Sequence, residues 1–451
     1  MSRPVSLTRR DLLEVGAVSL LGLTAADLMR AREAPTNNTR ARSFGRARSC
    51  VVIFLWGGPG QQDLWDLKPD APAEIRGEFR PVATTVPGTQ ISDQLPQLAR
   101  QMDKVTLVRS VTHRDSEHGS AAYTALTGHP HPLPGTNTPT RADDFPTYGS
   151  VVTKLRPANR AIPTAVILGP VMHQGPRPPV AGQNAGFLGR SYDPFRVAED
   201  PSGADFQVEA LQPAVGVTAE RLEDRRALLE VLDRQARQLE ALAGHGLTAH
   251  QQRAFELLQS PQTRRAFDLS AEPAALRERY GRSRFGQALV LARRLVEAGV
   301  PFITVNWEKQ NGDQWDTHKR NFGRLRELLP VFDRGLAAFL ADLHDRGLLE
   351  TTLVYCLGEF GRSPRINADA GRDHWPHCYS VLLAGGGVPA GAVVGASDRF
   401  AAYPSANPMT PGDLSATLFY SLGIDPQTHL TDPQGRPLPV SPGRVVAELL
   451  E

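Results

Sequence analysis

The stretch CVVIFLWGGPG (residues 50–60) decides the fold, because it joins a buried strand to a tight glycine turn. Residues 51–56 form a continuous apolar run, without the alternation expected of a strand that has one solvated face. Such runs are typical of central strands in parallel sheets, which are buried on both faces. The Gly-Gly-Pro-Gly sequence that follows predicts a turn at the carboxyl end of this strand.

Similar apolar runs recur along the chain at 104–111, 162–168, 301–307, 351–357 and 379–386. Helical patterns precede three of them, at 95–103, 284–300 and 328–350. Strands that alternate with helices predict an α/β protein with a parallel sheet. A long charged helical pattern begins near residue 217, and we expect a helical insertion over about 217–295 with a solvated charged face.

Charge is distributed unevenly over the 451 residues, of which 41% are hydrophobic. Residues 1–48 contain nine arginines and four acids, which is a local net charge of +5. The total net charge is +2, so the remaining residues carry about −3. No basic stripe is left for a nucleic-acid backbone, so nucleic-acid binding is excluded as a function class. The length fits one large domain or two smaller ones.

The N-terminus reads SLTRRDLLEVGAVSLLGLTAADL, with Arg9 and Arg10 directly before a weakly apolar segment. This pattern resembles a twin-arginine export signal, and it is too short for an ordinary membrane-spanning helix. We therefore expect a signal region at 1–34, a mobile tether at 35–49 and a folded domain at 50–451. The twin-arginine export machinery would be a partner, and the mature protein would be periplasmic or extracellular without a membrane span.

Acidic residues and histidines follow four of the predicted strands. In chain order they are Asp63 and Asp66; His113, Asp115 and His118; Glu308, Asp313, Asp316 and His318; and Glu359, Asp373, His374 and His377. In an open parallel sheet, ligands gather outside the carboxyl ends of the strands. Carboxylates and imidazoles together suit divalent metals, and zinc, manganese, iron, magnesium and calcium are not distinguished.

Each of these motifs has an ordinary structural alternative. WDTH (315–318) could be a helix cap with a nearby histidine, and Glu359 could simply pair with Arg362. HRDSEHGS (113–120) could be a polar turn, and Asp63 could cap one. The metal hypothesis therefore depends on the convergence of four strand ends rather than on any single motif.

Four motifs in order resemble a large secreted bacterial family, domain-of-unknown-function family 1501. They are FLWGGPGQQDLWDLKPDAPAEIRGEF, VRSVTHRDSEHGSAAYTALTGHPHP, WDTH and GEFGRSPRINADAGRDHWP, and the resemblance runs from about residue 45 to the C-terminus. The family is similar to the sulfatase and alkaline phosphatase superfamily. That resemblance implies a three-layer α/β/α sandwich around a mostly parallel sheet. It also implies hydrolysis of sulfate or phosphate esters with one or two bound metals.

The resemblance further implies a set of site residues. The metal ligands would be Asp63, Asp316, His318, Glu359 and His374. Arg362 would contact the anionic substrate, since its planar fork suits sulfate or phosphate oxygens. The substrate would be an anionic ester, and export points to an extracytoplasmic one such as a sulfated or phosphorylated glycan.

One departure from the sulfatase pattern concerns the nucleophile. Sulfatases carry a Cys or Ser that becomes formylglycine, but the corresponding position here is His118, and the usual Arg position is Ala122. Formylglycine chemistry is therefore not expected. His118 could be a metal ligand, a nucleophile or a general acid.

Two functions from different classes follow. The first is an exported metal-dependent hydrolase of sulfate or phosphate esters. The second is a non-catalytic binding or structural protein, stabilised by metal on a degenerate hydrolase scaffold, which the missing nucleophile supports.

Overall fold

The apolar run at 51–56 lies in the middle of an eight-stranded sheet in a computed structural model that describes residues 43–212, 256, 260–307 and 315–450. The strands in these ranges are β1 (Ser49–Leu55), β2 (Pro81–Ala83), β3 (Gln90–Ser92), β4 (Val105–Val111), β5 (Ala165–Leu168), β6 (Phe195–Val197), β7 (Phe302–Trp307), β8 (Thr352–Leu357), β9 (Gly361–Arg362), β10 (His374–Trp375), β11 (Tyr379–Ala384), β12 (Ala392–Val394), β13 (Ala396–Ser397), β14 (Pro404–Ala406), β15 (His429–Thr431) and β16 (Pro437–Pro439).

Ten α-helices accompany these strands in the same part of the chain. They are α1 (Gln61–Leu64), α2 (Ala73–Arg76), α3 (Pro96–Ala99), α4 (His118–Thr127), α5 (Tyr148–Leu155), α6 (Pro261–Phe267), α7 (Ala274–Tyr280), α8 (Arg284–Ala298), α9 (Asn321–Asp345) and α10 (Pro411–Ser421).

The central sheet has the strand order β12-β4-β11-β8-β1-β7-β5-β6. All neighbouring pairs are parallel except the two that involve β11, which is antiparallel to both β4 and β8. Seven strands therefore run in one direction, and β11 alone runs in the other. The prediction of a mostly parallel sheet is confirmed.

Successive side chains of β1 enter two different apolar layers. Val51, Ile53 and Leu55 pack in the layer that contains α8 and α9, whereas Val52 and Phe54 pack in the layer that contains α4, α5 and α10. Neighbouring residues of a strand point to opposite faces of its sheet, so both faces of β1 are covered by helices. The three-layer α/β/α sandwich is thus confirmed, and every residue of β1 is buried.

The six predicted strands are all present, but the sequence missed the edge strands β6 and β12 of the central sheet. Each has only three residues, too few to show a hydrophobic pattern. The last predicted helix also begins earlier than expected, at Asn321 rather than 328, and continues through Pro330. Phe322 and Leu325 in its added turns are buried in the core, which accounts for the extension.

Two predicted boundaries need correction. The tether was expected to extend to residue 49, yet Gly45 and Ala47 already donate backbone hydrogen bonds to the end of α10, and β1 begins at Ser49. The helical insertion was expected to reach residue 295. Its last predicted part, α8, is instead a core helix with eleven of fifteen residues buried.

Residues 217–255 and 257–259 of the predicted insertion, the twin-arginine region and residues 35–42 of the tether lie outside the described residues. All described residues belong to one compact unit that spans 43–451. A search of these residues finds no helix with the length and apolar character needed to cross a membrane.

Candidate metal centre

Four chain segments meet at one edge of the central sheet. β1, β4, β7 and β8 run in the same direction, so their carboxyl ends share that edge. Because β11 is antiparallel, the segment that enters it arrives at the same edge. The polar residues that follow the four parallel strands are therefore brought to the entrance of β11, as the sequence predicted from strand direction.

Asp316 lies at the centre of three imidazole rings. Its Oδ2 atom is 3.3 Å from His118 Nε2, and its Oδ1 atom is 3.1 Å from His318 Nε2 and 3.4 Å from His374 Nε2. The Nε2 atoms of His318 and His374 are 2.9 Å apart. One candidate ligand atom from each of His118, Asp316 and His374 lies within 4.8 Å of the others. We call His118, Asp316, His318 and His374 the histidine cluster.

All three imidazoles of the cluster are held through Nδ1 by an oxygen atom. The acceptors are Glu359 Oε1 for His118 (2.5 Å), the Ser116 carbonyl for His374 (2.6 Å) and Asp373 Oδ1 for His318 (3.0 Å). A carbonyl or carboxylate oxygen can only accept, so each Nδ1 carries a proton, and a ring that is neutral presents its lone pair at Nε2. This arrangement is typical of metal-binding histidines, whose second nitrogen donates to an outer oxygen.

The Nε2 atoms of neutral rings cannot serve as hydrogen-bond partners for one another. With both Nδ1 atoms protonated, the lone pairs of His318 and His374 face each other across 2.9 Å, which is repulsive unless a proton or a cation lies between them. His118 Nε2 is buried and has no hydrogen-bond partner among the described residues, although Asp316 is near. An unpaired buried polar atom costs about 1–3 kcal/mol. A divalent cation would remove both costs, so the residues fit a metal.

Glu359 contacts the histidine cluster through His118. The sequence suggested it as a metal ligand, but its Oε1 atom accepts hydrogen bonds from His118 Nδ1 and from the Gly57 backbone N–H (2.9 Å). Its Oε2 atom is buried without a partner in the described part of the chain. The contacts that the structure shows are those of a carboxylate that orients a metal-binding histidine.

Protonation of the cluster follows from these contacts. Burial alone would lower the pKa of His118, but the nearby carboxylates of Asp316 and Glu359 outweigh it and raise this pKa to about 9. Burial works against ionisation of Asp316, yet the nearby imidazoles of His118 and His374 and the charge of Arg362 hold its pKa well below the ordinary value. Burial lowers the pKa of His374. The site thus favours a positive charge between Asp316 and Glu359, which either a second proton on His118 or a bound cation would supply.

Gly57 is required where β1 ends. Its φ is +107°, and a Cβ atom there would lie 2.5 Å from the backbone nitrogen of Asp316. Only glycine combines this conformation with so close an approach. The glycine turn in CVVIFLWGGPG thus lets the loop that carries Asp316 lie against the end of β1, while the same glycine donates to Glu359.

Arg362 does not lie where the resemblance placed it. The side chain is fully buried, and its guanidinium donates to Asp316 Oδ1, to Gly58 O (2.9 Å), to Arg372 O (3.1 Å) and to Gly57 O. All three of its nitrogens are engaged within the protein. The geometry argues against an anion clamp and gives Arg362 the role of holding the Asp316 carboxylate in place.

Asp63 likewise lies apart from the histidine cluster. Both carboxylate oxygens bind the Arg372 guanidinium at 2.8 and 2.9 Å, and Asn321 Nδ2 donates to Oδ2 at 2.9 Å. Asp63 and Arg372 are both buried, so they form a buried ion pair. This placement argues against Asp63 as a metal ligand. Sequence reasoning gave Arg372 no role, because nothing in RDHWPH reveals a partner about 300 residues away.

The chain is similar in structure to several hydrolases of known structure. A sulfatase from Pseudoalteromonas sp. is 14% identical with a TM-score of 0.42, over 92% of this chain and 74% of that chain. A phosphonate monoester hydrolase from Silicibacter pomeroyi is 14% identical with a TM-score of 0.40, over 89% and 76%. An alkaline phosphatase from the Antarctic bacterium TAB5 is 12% identical with a TM-score of 0.36, over 77% of this chain and 94% of that chain.

A comparison with curated proteins finds no match. The strand order and the packing of the layers, rather than these low-identity similarities, define the architecture described above. A family match covers nearly all of the chain that the structure describes. Residues 47–450 match the family described as "Protein of unknown function (DUF1501)", and the chain belongs to that family.

Proposed function

We propose that the protein is an exported hydrolase of sulfate or phosphate esters that depends on a divalent metal. The observation that carries the proposal is the convergence of three Nε2 atoms on the Asp316 carboxylate, with each Nδ1 held by an oxygen. His118, His318, His374 and Asp316 would hold the cation. Imidazole with carboxylate suits zinc, manganese or iron better than calcium.

A bound divalent cation would polarise the ester oxygen and lower the pKa of a water molecule. The chain's own residues orient the ligands: Glu359 fixes the His118 ring, and Arg362 fixes Asp316. His118 is fully buried between two carboxylates. These contacts favour a ligand role for His118 over a nucleophilic role, so water would attack the ester.

One observation favours the second function, a metal-stabilised binding or structural protein. Among the described residues, no serine, threonine or cysteine side chain has a hydrogen bond to a side chain of the histidine cluster. Thr317, which follows Asp316, donates to Asn321 Oδ1 instead. Ser120, two residues after His118, is buried, and its hydroxyl accepts from the backbone of Gly135. A covalent nucleophile is therefore not supplied at this position.

Metal content and turnover, measured on the same protein, test the proposal. Protein purified without chelators would be subjected to elemental analysis and assayed with 4-nitrophenyl sulfate and 4-nitrophenyl phosphate, beside a His118→Ala variant. We expect stoichiometric metal and hydrolysis in the wild type, and loss of both in the variant. Metal without turnover would favour the binding protein, and the absence of stoichiometric metal would overturn the proposed mechanism.

Glu359 provides a graded test of its own. Glu359→Gln keeps the size of the side chain but replaces the charged acceptor of the His118 Nδ1 proton. We expect metal affinity to fall about 10–100-fold while the site still fills at high metal concentration, as for other residues that orient a ligand. Titration with Zn²⁺ against a competing chelator measures this change. Complete loss of binding would instead make Glu359 a ligand.

A further inference from the structure

A cavity of about 580 Å³ is formed in part by the loop that leads to His118, and it is lined mainly by apolar surface. Its walls are residues 112–115, Thr124 of α4, Gly128 directly after that helix, the start of α10 at Pro411, and Pro442. Pockets of 300–1,000 Å³ with apolar walls and a few polar groups are the usual sites for small organic ligands. The size and lining of this cavity therefore fit an organic group rather than a bare inorganic anion.

The cavity and the candidate metal centre are connected by one loop and one helix. His113 lines the cavity, and its Nε2 atom lies 2.8 Å from the Glu359 backbone carbonyl. The same loop continues to Ser116, whose carbonyl holds His374. Helix α4 begins at His118 and reaches the cavity at Thr124, about 9 Å further along the helix axis. Residues 113–116 and helix α4 therefore contribute to both places, which makes the cavity a candidate subsite for a ligand of the cluster.

Two side chains of the lining, Asp115 and Arg114, keep polar atoms that have no partner in the described part of the chain. Asp115 accepts backbone hydrogen bonds from Glu117 and Gly135 through Oδ1, while its Oδ2 atom is buried without a hydrogen bond. Arg114 is exposed and makes no ion pair or hydrogen bond with any described residue. The cavity therefore offers one acceptor and one cation, in contrast to Arg362, whose nitrogens are all engaged.

We propose that this cavity binds the alcohol part of the ester, a largely apolar organic group, with Arg114 at the anionic head. That the ligand is an ester rests on the proposed function, whereas its binding to the cavity is independent of turnover. Asp115 Oδ2 would accept a hydrogen bond from a hydroxyl or amide of that group. The substrate would then be an anionic amphiphile rather than a highly hydroxylated glycan.

A series of n-alkyl sulfonates from ethyl to decyl tests this proposal on the full chain, because these anions share one charge and differ only in apolar length. Calorimetric titration should show affinity rising with chain length, by about fourfold for each fully buried methylene, until the cavity is filled. Thr124→Phe, which fills the cavity, should flatten this dependence. Arg114→Gln should weaken all sulfonates by a similar factor and leave the dependence on length unchanged.

Thr153→Phe is the matched control, since Thr153 is also a helical threonine bonded to the carbonyl four residues earlier but does not line the cavity. Gly412→Val is a second filling variant, because a Cβ at Gly412 would make only 3.4 Å contacts. Metal content and melting temperature check that each variant is folded. A wild type without chain-length dependence overturns the cavity assignment even if it hydrolyses short esters. Dependence on length without metal or turnover supports the cavity and overturns the proposed hydrolase.

Discussion

His374→Ala should lose its metal almost completely, with an affinity reduced by more than about 100-fold, since removal of a ligand exceeds the effect of an outer residue. His374 Nε2 is one of the three nitrogen atoms that surround Asp316, and its Nδ1 is fixed by the Ser116 carbonyl. Alanine provides neither contact. Elemental analysis of wild type and variant, purified side by side without chelators, measures the difference.

His344→Ala is the control for this experiment, because His344 is an exposed histidine in the last turn of α9, outside the histidine cluster. It removes an imidazole from the same protein without touching the site. We expect this variant to keep the metal content of the wild type. Full metal occupancy in His374→Ala would refute the assignment of His374 as a ligand.

Arg372→Met should be the most destabilising substitution near the site. Arg372 is the buried partner of Asp63, and it also donates to the carbonyls of Ile75 and Ser363 at 2.9 and 3.1 Å. Its removal leaves the Asp63 carboxylate buried without a counterion, which typically costs about 3–5 kcal/mol. The midpoint of urea-induced unfolding should fall accordingly, and metal affinity should fall with it.

The double variant Asp63→Asn with Arg372→Met separates the lost charge pair from the lost packing. Because it buries no uncompensated charge, it should be more stable than Arg372→Met alone. A double variant that is less stable than the single one would show that hydrogen bonds to the loop, rather than the unpaired carboxylate, dominate. A loss below about 1 kcal/mol in Arg372→Met would contradict the buried-pair interpretation.

The central strands could be predicted from sequence because burial on both faces leaves an unbroken apolar run, as in residues 51–56. Strand direction then placed the candidate site, since parallel strands end at one edge. The three-residue edge strands β6 and β12 left no such pattern. Nor could sequence locate the start of α9, because its early turns are stabilised by burial of Phe322 and not by a local signal.

The candidate site was predicted in part. The sequence singled out His118, Asp316, His318 and His374, which the structure brings together, although their role as ligands stays a prediction. The roles of individual charged residues could not be predicted, because a carboxylate binds whichever cation the fold places beside it. Asp63 meets Arg372, and Arg362 meets Asp316, over sequence separations of 309 and 46 residues.

The antiparallel direction of β11 has a consequence for how this protein could diversify. Since β8 leaves the sheet at the edge where β11 enters it, the segment between them departs from and returns to one place. Glu359 lies at its start and His374 near its end, while residues 364–371 between them include exposed positions such as Asp369. The carbonyls of Asp369 and Ala370 accept backbone hydrogen bonds from Arg320 and Asn321, so part of this portion also supports the loop that carries His318. New sequence, and hence new specificity, could enter at exposed positions outside these bonds while the residues that surround Asp316 stay unchanged.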